Sequence, residues 1–93
     1  MRGGIILERL KLERFYACVG ELDRIGNRVV KDKKTNLSFH IGPDGKALYE
    51  RRFRFATNFE RYISVPHTPF RALVETIDGE RLYIDLKGHR ITR

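Results

Sequence analysis

Two stretches of this chain carry the same strand–turn–strand pattern, and a short chain that repeats itself has few architectures open to it. Phe39-His40-Ile41-Gly42-Pro43-Asp44-Gly45-Lys46-Ala47-Leu48-Tyr49 is echoed by Leu82-Tyr83-Ile84-Asp85-Leu86-Lys87-Gly88-His89-Arg90-Ile91-Thr92. Ile41 falls on Ile84, Gly45 on Gly88 and Leu48 on Ile91, each pair 43 residues apart. A recurring supersecondary unit points to an assembly of like hairpins. Such units build extended binding surfaces more readily than catalytic centres.

Strand signals dominate from residue 15 onward. Phe15, Ala17 and Val19 alternate with Tyr16 and Cys18, and Leu37, Phe39 and Ile41 alternate with Ser38 and His40, as half-buried strands do. Gly42-Pro43-Asp44-Gly45 then reads as a turn, because proline pre-sets one φ and glycine accepts a positive one. Arg52-Phe53-Arg54-Phe55 alternates again. Arg71–Ile77 and Arg81–Asp85 flank Asp78-Gly79, a hairpin turn of the Asp-Gly type. Pro66 and Pro69 are too close for a central strand, so Pro66–Pro69 is expected to be a loop.

A second correspondence sets Phe15-Tyr16-Ala17-Cys18-Val19 against Phe70-Arg71-Ala72-Leu73-Val74, 55 residues on. Two copies of one unit with loops of unequal length reconcile the offsets, one over residues 9–49 and one over 52–92. Arg9-Leu10-Lys11-Leu12 fits either a short helix or a strand. Its match to Arg52-Phe53-Arg54-Phe55 favours strand. The expected fold is all-β and mostly antiparallel: two similar β-hairpin units in one small domain of 93 residues, with a short N-terminal helix as the other option.

The segment Phe39–Phe53, followed by Phe59, by Arg71-Ala72-Leu73-Val74 and by Tyr83-Ile84-Asp85-Leu86-Lys87-Gly88, resembles the WG-repeat proteins. There an aromatic-Ile-Asp strand leads to a glycine turn, and an Ala-x-Val strand follows. The likeness covers most of residues 15–92. It departs at the name-giving dipeptide: the chain has no Trp, and Ser38 and Leu82 stand where the glycine is expected. The resemblance implies a β-repeat architecture and an association with binding and protein contacts, and no defined activity.

Charge narrows the partners. A net charge of +7 favours acidic ones, among them nucleic acid or an acidic protein face. If Arg9, Lys11, Arg52 and Arg54 lie on strands of one sheet, alternation sends all four to the face opposite Leu10, Leu12, Phe53 and Phe55. Arg51, Arg61 and Arg71 extend that stripe, and Tyr62, Tyr83 or His67 could stack on bases. Arginine suits phosphate because its fork donates two parallel hydrogen bonds.

Nothing reads as an enzyme. His40, His67 and His89 are scattered, there is no cysteine pair, and no metal-ligand spacing or phosphate loop appears, so no cofactor is expected. Cys18 reads as a small buried hydrophobe. One cysteine makes no internal disulfide, no stretch reaches the ~18 apolar residues of a membrane span, and the run before Glu8 is short for a signal peptide. A cytoplasmic protein away from membranes is the expectation. Its function is expected to be a non-enzymatic interaction module contacting another protein or itself. The alternative is a nucleic-acid-binding β domain using Arg9, Lys11, Arg51, Arg52, Arg54, Arg61 and Tyr62.

Overall fold

Turn chemistry sets the order of the strands in the computed structural model, which describes residues 9–61 and 70–91. A helical turn, α1 (Arg9–Leu12), precedes β1 (Tyr16–Val19), β2 (Arg28–Asp32), β3 (Ser38–Ile41), β4 (Phe55–Ala56), β5 (Glu60–Arg61), β6 (Phe70–Glu75) and β7 (Arg81–Ile84). All described pairings are antiparallel. One sheet has the order β1-β2-β3. In the other, β6 carries β4 and β5 along one side and β7 along the other. A bridge between Ser38 and Phe53 joins them. Pro66–Pro69 lies outside the described residues.

The core is where the two sheets meet. Phe53, Ile41, Ile84, His40, Val30 and Val74 are its largest fully buried side chains. Val30 faces Phe39 across β2–β3, and Val74 faces Leu82 across β6–β7, so each hairpin contributes the same kind of cross-strand pair.

Three expectations are corrected. Arg9–Leu12 is a helical turn, not a strand. Glu13 N–H reaches Arg9 C=O at 3.0 Å, so the segment closes a bond locally, and Leu12 is buried while Leu10 stays 75% exposed. Alternation also fails in β1. A register irregularity between Tyr16 and Cys18 breaks the period of two, so Val19 turns inward while Phe15, Ala17 and Cys18 face solvent. Cys18 is therefore exposed, not a core residue. Phe53 and Phe55 do not share a buried face: Phe53 is in the core and Phe55 is half exposed.

The backbone bonding recurs along the chain. Gly42 N–H to Lys46 C=O, Gly45 to Gly42 and Leu48 to His40 reappear as Asp85 to His89, Gly88 to Asp85 and Ile91 to Tyr83. The bridge Ile41–Ala47 reappears as Ile84–Arg90. Gly45 and Gly88 both hold positive φ, near 83° and 82°, which the turn requires and a side chain resists.

Strand equivalences follow from the registers. Val19 and Cys18 oppose Val30 and Lys31 as Ala56 and Phe55 oppose Val74 and Glu75. Gly20 N–H bonds Val29 C=O as Thr57 N–H bonds Leu73 C=O. So β1 answers to β4, β2 to β6 and β3 to β7. Counted back from Cys18 and Phe55, Leu12, Glu13, Arg14 and Tyr16 correspond to Tyr49, Glu50, Arg51 and Phe53. The sequence matching had set β1 against Phe70–Val74 and Arg9–Leu12 against Arg52–Phe55.

Candidate functional site

The most polar point of the core is His40, which has no solvent exposure. Its ring lies 4.3 Å from that of Phe59 and edge-on to Tyr49. Nε2 donates to the Thr57 carbonyl at 2.7 Å, which leaves Nδ1 to accept the Tyr49 hydroxyl proton at 2.5 Å. Burial pushes the His40 pKa below its usual value, against the Thr57 bond and the Asp23 charge. Burial also raises the Tyr49 hydroxyl well above its ordinary range. Both ring nitrogens are engaged and neither is accessible, so this is a locked structural centre holding β3 to the chain around residues 49–57.

The basic stripe is dispersed. Arg52 is half-buried: Nη1 donates to the carbonyls of Tyr49, Glu50 and Arg51 at 2.9–3.1 Å, and its guanidinium lies 3.7 Å from the Phe39 ring centroid. It holds the tight loop between the Ala47 and Phe53 bridges. Arg51 donates to the Gly88 carbonyl at 3.1 Å and lies over Phe53. Arg54 sits 3.8 Å from Glu75. Arg9 pairs with Glu13 and Glu21, and the Glu21 bond raises its pKa. Because α1 is helical, Arg9 and Lys11 share no sheet face with Arg52 and Arg54. Arg61 lies on β5 beside an open groove of about 570 Å³, next to Leu22, Asp23 and Arg24. Arg71 pairs with Glu60 and covers the Tyr83 ring at 3.9 Å, the face that was expected to stack on a base. Tyr62 and His67 lie outside the described residues.

The loop role of Arg52 gives a test. Arg52→Ala removes the charge-assisted bonds of Nη1, whose two protons are shared among three carbonyls, and the stacking on Phe39, and should cost about 2 kcal/mol. Arg52→Lys should restore less than half, since an ammonium cannot stack flat on the Phe39 ring as the guanidinium does. Urea denaturation of the three proteins measures both.

Sequence reasoning missed the edge of the first sheet. Asp32 N–H bonds Leu37 C=O on the β3 side, so Tyr16 and Asp32 form a non-hydrogen-bonded pair. The N–H and C=O of Tyr16 therefore point away from β2, off the sheet, and no other described strand pairs with β1. Beside this edge stand Phe15, 68% exposed, with Ala17 and Cys18. An apolar hollow of about 270 Å³ lies between Cys18, Val29 and Phe55. The signal was present in the sequence: Phe15–Val19 is five residues without charge in a chain that is 33% charged.

Among the described residues, no group of three or more His, Cys, Asp or Glu could hold a metal ion, and no helix is long and apolar enough to cross a membrane. Comparison with protein-family models, characterised proteins and solved structures finds no match to this chain.

Proposed function

We propose that this domain is a non-enzymatic interaction module that binds protein by strand addition at β1. The observation that carries it is the outward-facing backbone of Tyr16 beside exposed, uncharged Phe15, Ala17 and Cys18. Sheet edges are commonly protected by charge, proline or a covering element. Here charge is absent from the strand itself. Backbone bonds supply affinity in this mode, and alternate side chains supply specificity. Nucleic-acid binding draws less support, because Arg51, Arg52, Arg54 and Arg9 are all engaged within the chain.

Selection from a displayed library of short extended peptides tests the proposal. Peptides with alternating apolar residues should be enriched on the wild type. Their binding should fall at least tenfold on Cys18→Lys, which places a charge on the edge without disturbing the core. Peptides unaffected by Cys18→Lys, or an empty selection, would sink it. In parallel, a steep loss of DNA or RNA binding with added salt would favour the nucleic-acid reading instead.

A further inference from the structure

The internal junction between the two sheets is a template for a second junction. Ser38 N–H bonds Phe53 C=O at 2.6 Å, and Phe53 N–H bonds Ser38 C=O at 2.9 Å. Phe53 corresponds to Tyr16, and Ser38 corresponds to Arg81.

Arg81 is oriented as Ser38 is. Thr76 N–H bonds Glu80 C=O, so Glu75 and Arg81 form a non-hydrogen-bonded pair. The N–H and C=O of Arg81 thus point off the outer side of β7. Among the described residues nothing bridges Arg81 there, while Arg90 bridges Ile84 further along the same side. One molecule therefore presents both halves of the junction it already contains: a Tyr16 edge at one end and an Arg81 edge at the other.

We propose that the partner at the β1 edge is a second copy of this chain, docked head to tail. Tyr16 of one copy exchanges two backbone hydrogen bonds with Arg81 of the next, in the register that Phe53 holds against Ser38. This rests on the reading of β1 as a binding edge and names its occupant.

The side chains agree. In the internal junction Arg52 lies over Phe39. The corresponding residues are Phe15 and Leu82, so exposed Phe15 would lie over an apolar residue of the neighbour. Tyr16 already packs edge-on against Phe39 at 5.8 Å, and docking would bury it as Phe53 is buried. The two surfaces are different patches, so the contact is heterologous and extends into an open row rather than closing as a dimer. Each copy carries +7, so mutual repulsion opposes the row and added salt should strengthen it.

Disulfide trapping tests the register. Residues that exchange both bonds across antiparallel strands have Cα atoms about 5.5 Å apart, within the range a disulfide spans. In a Cys18→Ser background, Tyr16→Cys mixed with Arg81→Cys should give cross-linked heterodimer at least fivefold above a mixture of Tyr16→Cys and Ile77→Cys. The Tyr16→Cys/Arg81→Cys double variant should give a ladder. Equal cross-linking in the two mixtures overturns the proposal. Sedimentation of the wild type is independent of any folding defect in the variants. Its average mass should climb past dimer with concentration and salt, and Arg81→Pro, which removes the outward N–H, should stop the climb, whereas Arg81→Ala, which loses the same Glu75 ion pair but keeps that N–H, should not. A mass fixed at monomer or dimer overturns the row. If β1 still selects peptides in that case, the binding-edge reading survives and only the identity of the partner fails.

Discussion

His40→Phe should destabilise the domain by about 3 kcal/mol and abolish the loss of stability on mild acidification. Phenylalanine keeps most of the ring volume beside Phe59, so the cost comes from polarity. The Tyr49 hydroxyl loses its acceptor and the Thr57 carbonyl loses its donor. Each stranded buried group costs about 1–3 kcal/mol. The pH effect has a definite sign. Burial depresses the pKa of His40 in the folded state, while the unfolded chain titrates near the ordinary histidine value of 6.5. Below that point the unfolded state binds a proton that the folded state refuses. Stability then falls as pH falls, by at most about 1.4 kcal/mol per pH unit, until the folded pKa is reached. Asp32, whose pKa is lowered chiefly by the Thr35 N–H, acts in a separate window: its contribution is lost only as pH falls below 3.8 towards its folded pKa. Urea melts of both proteins between pH 7.5 and 5 provide the measurement. A slope that persists in His40→Phe would assign it to another group.

The hairpins were legible because their signals are local. Asp78-Gly79 and Gly42–Gly45 declare reversals within four residues, and the paired runs beside them alternate cleanly. The antiparallel all-β class follows from those turns. What was not legible depends on pairing across the chain. Arg52 and Arg54 alternate with phenylalanines as cations on a solvated face would. Only the fold shows that Arg52 turns back onto three carbonyls of its own loop. Cys18 reads as buried from its residue type, yet it faces solvent beside inward-facing Val19, and a one-residue irregularity against β2 breaks the face that alternation assigns to Phe15, Ala17 and Val19. The 43-residue echo is visible because β3 and β7 lead into the same glycine turn. The relation of β1 to β4 is carried mainly by hydrogen bonds, with Glu13-Arg14 and Glu50-Arg51 as the faint trace left in side chains. The binding edge was hidden for the same reason: which backbone groups point off a sheet is a matter of register, which residue types do not encode.

Gly88→Ala should cost more than Gly79→Ala, by about 2 kcal/mol or more, although both glycines hold a turn at positive φ. At Gly79, with φ near 93°, the nearest heavy atom to a new Cβ is Glu75 Oε2 at 4.0 Å. Only backbone strain of about 1–2 kcal/mol opposes that substitution. At Gly88, with φ near 82°, a Cβ would stand 2.7 Å from Cγ and 2.8 Å from Cβ of Tyr49. Tyr49 cannot step aside freely, because it is buried, packs edge-on against Phe53 and donates its hydroxyl to His40. A methyl group at residue 88 therefore presses, through one ring, on the hydrogen bond at the centre of the core. It also displaces the carbonyl that Arg51 bonds. Thermal denaturation of the two variants compares the costs directly. A double-mutant cycle with Tyr49→Ala isolates the ring's share of the clash. Tyr49→Ala is itself destabilising, yet Gly88→Ala in that background should cost less than in the wild type, since the 2.7 Å contact with Cγ is gone, while the 2.8 Å contact with Cβ keeps the cost above that of Gly79→Ala. Equal costs for Gly88→Ala with and without the Tyr49 ring would show that the turn at residue 88 is not packed against the core as the structure has it.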